Sequence, residues 1–356
     1  MDETRAFPRL LGFRHTGAGR NTASTTTLAN RDLGALLRDW DGSSFVLERN
    51  TIGELEDHRY YWGLLEDRTP TALRPFHGFY VREVNSQRLT AGTTTFTGSP
   101  IPSVQNPGRT MLWPLAVRAG SAAQDWASAS VTAYLDGSSR VRIDRGGSTG
   151  PVTPSWAIVE LGASWGVTRL DATLSTRGTD VELSGAGSTP WSRKLYVVTQ
   201  RVPVNADDLA DHVLVRTSKD DPDKLILSLP AAGTAGTFTL SVYVLEHPLL
   251  NVTHWDTVDS SGYGAIGVNT VEELELIPEP PFEPDEVSII CHSDGQGNNT
   301  NYPRAHWGYT IEDESLFLRR GRTAPRGQNY SAQLVRWPVV PRGHPGPHIG
   351  HTTFSY

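Results

Sequence analysis

Four groups of residues have types and spacings that could do chemistry. His292, Ser293 and Asp294 set a base, a nucleophile and an acid side by side, followed by Gly295-Gln296-Gly297-Asn298. Neighbours on one turn do not converge their side chains as a hydrolytic triad requires, because the triad is an arrangement in space; a polar loop is expected. Asp294, Gln296 and Asn298 alternate as calcium ligands do, but the glutamate that closes an EF-hand loop is missing. Asp220, Asp221 and Asp223 flank Pro222 in a segment acidic enough for a divalent ion and equally suited to an exposed turn. His344, His348 and His351 lie in a Gly/Pro-rich tail, where imidazoles from several chains could meet around a metal on a symmetry axis; in a single chain they read as an unstructured tail. Asp294, Asn298, His344, His348 and His351 are thus the metal candidates, and the expectation is no metal, no cofactor and no catalytic residue.

No phosphate-cradling Gly-rich loop, zinc spacing or dinucleotide fingerprint is present. Carboxylate pairs for glycoside cleavage are defined by a separation of about 5–9.5 Å, which a sequence does not give. A fourth set of charges recurs: Glu66, Glu160, Glu246 and Arg336 close four similar apolar runs, spaced 94, 86 and 90 residues apart. Their repetition points to structural charges at the rim of a repeated unit and to an interface, in place of four active sites.

The elements that would position these charges are strands. Leu225–Leu229 and Thr239–Glu246 are aliphatic and β-branched runs separated by Pro230, Gly233 and Gly236, which predicts a β-hairpin with a buried second strand. The phrase recurs as Val141–Arg145 with Ser155–Glu160, as Leu316–Arg320 with Ser331–Arg336, and more faintly as Phe45–Arg49 with Tyr61–Glu66. A unit of about 90 residues that recurs is a supersecondary module, long enough for a β-sandwich. Trp62 and Trp156 fall inside apolar strands and are expected in the core. The clearest helix pattern is Leu33, Leu36, Leu37 and Trp40, capped by Asn30 and stopped at Asp41-Gly42.

The chain is 356 residues with net charge -7, 34 Gly, 24 Pro and ten Trp. That composition suits an all-β protein rich in turns, with tandem Ig-like or jelly-roll-like sandwich units, extended terminal arms and one short helix. The boundaries expected are 1–105 for an N-terminal arm, helix and first unit, 106–277 for two central units, 278–286 for a stiff linker with four prolines in seven positions, and 287–356 for a last unit and tail. The acidic balance argues against nucleic acid, which would call for a basic stripe. Cys291 is the single cysteine, so no disulfide forms within the chain. The acidic start and the lack of a long apolar run predict neither a secretory leader nor a membrane span, hence synthesis in a cytoplasm.

The phrase carried by Val141–Arg145 with Ser155–Glu160, Leu225–Leu229 with Ser241–Glu246, and Leu316–Arg320 with Ser331–Arg336 resembles a repeat of virion structural proteins of tailed bacteriophages. The resemblance covers less than a quarter of the chain. It implies a non-enzymatic protein on a particle, as capsid decoration, head fibre or tail component. Its partners would be further copies of itself and other virion proteins, met through sandwich faces and terminal arms. Two other readings stay open: a glycan-binding host-recognition module using exposed Trp or Tyr, and a polysaccharide-degrading hydrolase.

Overall fold

The computed structural model describes residues 4–15, 35–42, 44–49, 58–119, 126–137, 139–203, 213–229, 236–256, 273–276, 287–293, 308–312, 315–319, 330–338 and 349–354. Among these the chain is all-β, with two four-residue helical turns, α1 (Arg74–His77) and α2 (Trp126–Ala129). The strands are β1 (Ala6–His15), β2 (Ala35–Arg38), β3 (Val46–Arg49), β4 (His58–Glu66), β5 (Phe79–Ser86), β6 (Thr95–Pro100), β7 (Thr110–Ala119), β8 (Val131–Leu135), β9 (Arg140–Arg145) and β10 (Val152–Leu161). They continue as β11 (Gly166–Leu174), β12 (Val181–Ser184), β13 (Lys194–Arg201), β14 (Leu214–Thr217), β15 (Lys224–Ser228), β16 (Phe238–Glu246) and β17 (Asn251–Asp256). The last are β18 (Glu273–Leu276), β19 (Val287–Ser293), β20 (Gly308–Glu312), β21 (Ser315–Arg319), β22 (Tyr330–Arg336) and β23 (Ile349–Phe354).

One plan repeats. A unit has six strands in two antiparallel sheets: the sixth strand lies between the first and third, and the fifth between the second and fourth. Unit 2 is β5-β10-β7 with β6-β9-β8, unit 3 is β11-β16-β13 with β12-β15-β14, and unit 4 is β17-β22-β19 with β18-β21-β20; the pairing of Val131 with Gln200 joins β8 to β13, so β6-β9-β8 and β13-β16-β11 run on as one six-stranded sheet. Unit 1 is drawn from both ends of the chain, as β1-β4-β23 with β2-β3, so β23 stands where the other units have their first strand. Register agrees in all four: the closing residue of the sixth strand faces the opening residue of the third, as Glu66 with Ala6, Glu160 with Thr110, Glu246 with Lys194, and Arg336 with Val287.

The units pack in a closed succession. The fourth strand of each lies against the third strand of the next: β2 on β7, β8 on β13, β14 on β19, and β20 back on β1. The sixth strand is therefore covered on both faces. Leu240, Val242 and Val244 of β16 meet Val215, Leu225 and Leu227 of their own unit, while Tyr243 and Leu245 join a core with Leu135, Val141 and Ile143 of unit 2. Burying such aliphatic side chains contributes about 1.5–3 kcal/mol each. Coverage from both sides also explains why these strands read as unbroken apolar runs where one-sided strands would alternate. Trp156, on β10, is buried as expected.

Several expectations are corrected. Each recurring pair of strands is not a hairpin: β9, β15 and β21 lie in one sheet of their unit and β10, β16 and β22 in the other. The helix expected at 30–41 is absent where the chain is described, since residues 35–38 form β2, paired with β3. Leu36 and Leu37 are adjacent and both buried, so a strand held between two layers reproduces part of a helical spacing. The arms are partly strands: β1 and β23 flank β4. The connector expected at 90–108 contains β6, which pairs with β9 across residue 105. The linker at 278–286 lies outside the described residues.

Buried charges fasten the units. Lys194 is 0 % exposed, and its ammonium donates to the carbonyls of Ala186, Gly187 and Pro222 at 2.7–2.8 Å. Burial lowers its pKa, opposed by Glu246, Asp223 and Asp221. Arg145 is equally enclosed and donates to the carbonyls of Thr90, Thr93, Ser128 and Gly150. Between units 3 and 4 the Gln333 amide extends the ladder as a peptide group would: its Oε1 accepts from Tyr196 N and its Nε2 donates to Tyr196 O, both at 2.8 Å.

Candidate interaction site

The charges singled out in the sequence are structural where they are described. Glu160 is 5 % exposed, pairs with Arg82 at 2.8 Å and accepts from Gln105 N at 2.9 Å, so it cannot offer itself to a partner. Glu66 pairs with Arg68 at 2.9 Å. Glu246 packs against Gly166, where an added Cβ would stand 2.6 Å from its side chain. Arg336 is half-buried at the end of β22. Asp223 accepts from the backbone N of Gly185 and Gly187, and Asp221 caps Asp223 N, which makes the acidic segment a closed turn. His351 lies on β23, facing Tyr61 in register, while Asp294, Asn298, His344 and His348 lie outside the described residues. Among the described residues no group of three or more His, Cys, Asp or Glu is placed to hold a metal ion.

What the fold brings together instead is the set of connections that lead from one unit to the next. Each supplies one ring to a single cluster: His77 from the link between units 1 and 2, Trp165 from 2 to 3, His247 from 3 to 4, and Trp337 after β22. His77 and His247 have centroids 5.2 Å apart, His247 and Trp165 4.6 Å, and Trp165 and Trp337 5.9 Å. The chain of rings continues through Trp113 to Phe7 and Phe79.

Backbone hydrogen bonds stitch the connections. Ala163 N donates to Pro75 O and Ser164 N to Phe76 O, at 2.8 and 2.9 Å, and Trp165 Nε1 donates to His77 O at 2.8 Å. Gly162 has to be glycine here, since a Cβ would meet Phe76 O at 2.5 Å. The imidazole pair has a fixed proton order. His247 Nδ1 accepts from Leu249 N at 3.0 Å, so its proton sits on Nε2 and is donated to His77 Nδ1 at 3.1 Å. Burial, with His77 beside it, pushes the His247 pKa down to about 4.

Around this cluster the same connections leave apolar side chains in water. Leu73 is 46 % exposed, Phe76 52 % and Leu249 54 %. Phe76 stands beside the His77 ring, and Leu249 is two residues from His247. A tightly hydrogen-bonded imidazole pair under an apolar rim offers shape and hydrophobic area, the features of a docking surface. The rings were legible only in part: His247 and Trp337 directly follow a closing charge, but nothing in the sequence says that the four connections meet. Neither the protein-family models nor the curated proteins match this chain.

Proposed function

We propose that the chain is a non-enzymatic structural protein of a tailed-bacteriophage particle, acting through protein–protein interfaces as capsid decoration, head fibre or tail component. The observation that carries the reading is the apolar rim of Leu73, Phe76 and Leu249, mounted on connections that hydrogen bonds hold rigid. The recurring phrase adds support, since its closing strand is the centre of every unit. Homo-oligomers and other virion proteins are the partners this implies. Trp113, Trp156, Trp165 and Trp191 are buried, which disfavours a sugar platform built on them. No helix among the described residues is long and apolar enough to cross a membrane.

The test is quantitative mass spectrometry of gradient-purified particles. A fixed ratio of this chain to the major shell protein is expected: hundreds of copies for decoration, a few for a tail or fibre. A chain that stays at the top of the gradient overturns the reading.

A further inference from the structure

Units 3 and 4 meet where two short segments lie on each other: the turn Trp191–Arg193, which leads into β13, and the connection His247–Leu250, which leads into β17. His247 N donates to Arg193 O at 3.2 Å, and the Arg193 guanidinium donates to Leu250 O. On β17, His254 donates through Nε2 to Trp191 O at 3.0 Å and to Lys194 O at 3.2 Å. Carbonyls only accept, so the proton of this ring sits on Nε2. The ring lies flat against Tyr196, with 7° between the planes, and edge-on to Trp191. Its Nδ1 is sealed from water and has no hydrogen-bond partner among the described residues.

Neither ring has a place for a second proton. On His247 it would go to Nδ1, the atom that accepts from Leu249 N, and on His254 to the sealed Nδ1. The titratable and charged groups on the elements packed around the rings are His77 and Arg74 of α1, Arg193 of the turn, Lys194 and Tyr196 of β13 and Arg336 of β22, with Glu246 and Asp256 on their own stretch of chain. Four of these are cations, and no carboxylate acts on either imidazole. Burial pushes the pKa of His254 down to about 4, as it does for His247. The seam between units 2 and 3 is built otherwise. There Leu161 follows the closing charge as His247 does here, and Arg169, ion-paired with Asp171, occupies the register position of His254, since Gly166 faces Glu246 as Asn251 faces Arg336.

We propose that the contact of the turn Trp191–Arg193 with the connection His247–Leu250 and β17 is an acid-released latch: protonation of His247 and His254 parts the two segments and uncovers Leu250 and Trp191, while β22 stays seated on unit 3. The bonds that seat β22, between Gln333 and Tyr196 and from Ser331 to Val215 O, involve no group that titrates in this range. The stability given by the two uncharged rings is whole above a pH of about 6.5 and is lost as pH falls towards about 4. The proton is thus the ligand of this seam, and the surface it uncovers is apolar, since Leu250 is 0 % exposed with the latch closed. The proposal does not depend on the assembly reading above.

The experiment follows amide exchange of the full chain at about pH 7.5 and about pH 4.5, on either side of the ordinary imidazole range, with each rate divided by its intrinsic value at that pH. Protection at 191–194 and 247–250 should fall by at least about tenfold in acid, while that of β10 and β22 holds. The double variant His247→Asn, His254→Gln keeps an acceptor for Leu249 N and a donor for the two carbonyls but has no imidazole to protonate. Its protection at the same amides should be equal at both pH values. If the variant does not fold, wild-type chain labelled with heavy-nitrogen histidine decides: both rings should carry a proton on Nε2 alone at neutral pH and gain the second in step with the loss of protection at 191–194. Unchanged protection in acid, acid loss of the same size in the variant, or equal loss in β10 and β22 each overturns the proposal. So do rings that take up the second proton near the ordinary pH of about 6.5 with the latch still protected.

Discussion

Unit 3 and unit 1 follow the same six-strand plan with different means. Unit 3 is one continuous stretch from Gly166 to Glu246, with a complete second sheet and a lysine caged by three carbonyls. Unit 1 recruits β23 from the far end of the sequence, has two strands in its second sheet among the described residues, and carries a partly exposed ion-pair cluster on that sheet. There Arg38 pairs with Asp39 and Glu48, and Arg118 also reaches Glu48, whose carboxyl is held below the usual range chiefly by the hydrogen bond from Arg118. In the contiguous unit, the ammonium of Lys194, bonded to three carbonyls, ties the packing of distant loops together. In the split unit, strand pairing between distant segments does that work.

The contrast can be broken most forcefully at Lys194. Lys194→Ala leaves three carbonyls without their donor in a buried site and should cost about 3–5 kcal/mol, read as a lower midpoint in chemical denaturation. Acid should strike the same side of the molecule. The folded pKa of His247, about 4, lies below the ordinary value of about 6.5. The unfolded chain therefore binds the extra proton first as pH falls. The stability from keeping this ring neutral is complete above pH 6.5 and shrinks by about 3 kcal/mol on the way to pH 4. His247→Phe should flatten that part of the pH profile, and an unchanged profile would show that His247 is not what titrates.

Unit 1 should respond more weakly and more locally. Removal of residues 349–356 uncovers one edge of β4; amide exchange in β4 should quicken by about tenfold or more, equivalent to about 1.4 kcal/mol, while β10 and β16 keep their protection. Equal acceleration in all three strands would mean that the units do not open separately. Arg38→Ala should be the mildest, within the 1 kcal/mol or so of a surface ion pair, by thermal melting.

The sequence shows the repeat because the sixth strand is covered on both faces, and such a strand is apolar without interruption. Ser241-Val242-Tyr243-Val244-Leu245 and its counterparts therefore stand out, and their spacing is that of the units. The hairpin expectation failed on loop geometry. The segment between β15 and β16 is nine residues, 229–237, whereas hairpin loops are typically 2–5; a segment of this length can carry the chain over to the opposite sheet. Leu36 and Leu37 misled for the same reason that β16 was informative, since coverage from two sides removes the alternation that separates strand from helix. The ring cluster was not legible because His77, Trp165, His247 and Trp337 belong to four connections brought together only by the closed succession of units.

That closure sets an order of events during synthesis. Units 2 and 3 can complete their sheets as soon as their own last strand has been made. β4 has to wait for β23, about 280 residues later. At the usual 5–20 residues per second the delay is on the order of 15–60 s. Throughout it one edge of β4 stays unpaired, the condition in which strands recruit the wrong neighbour. Crowded translation of several copies on one message would then favour exchange of β23 between chains, whereas slow, dilute synthesis would favour the ring closed on itself.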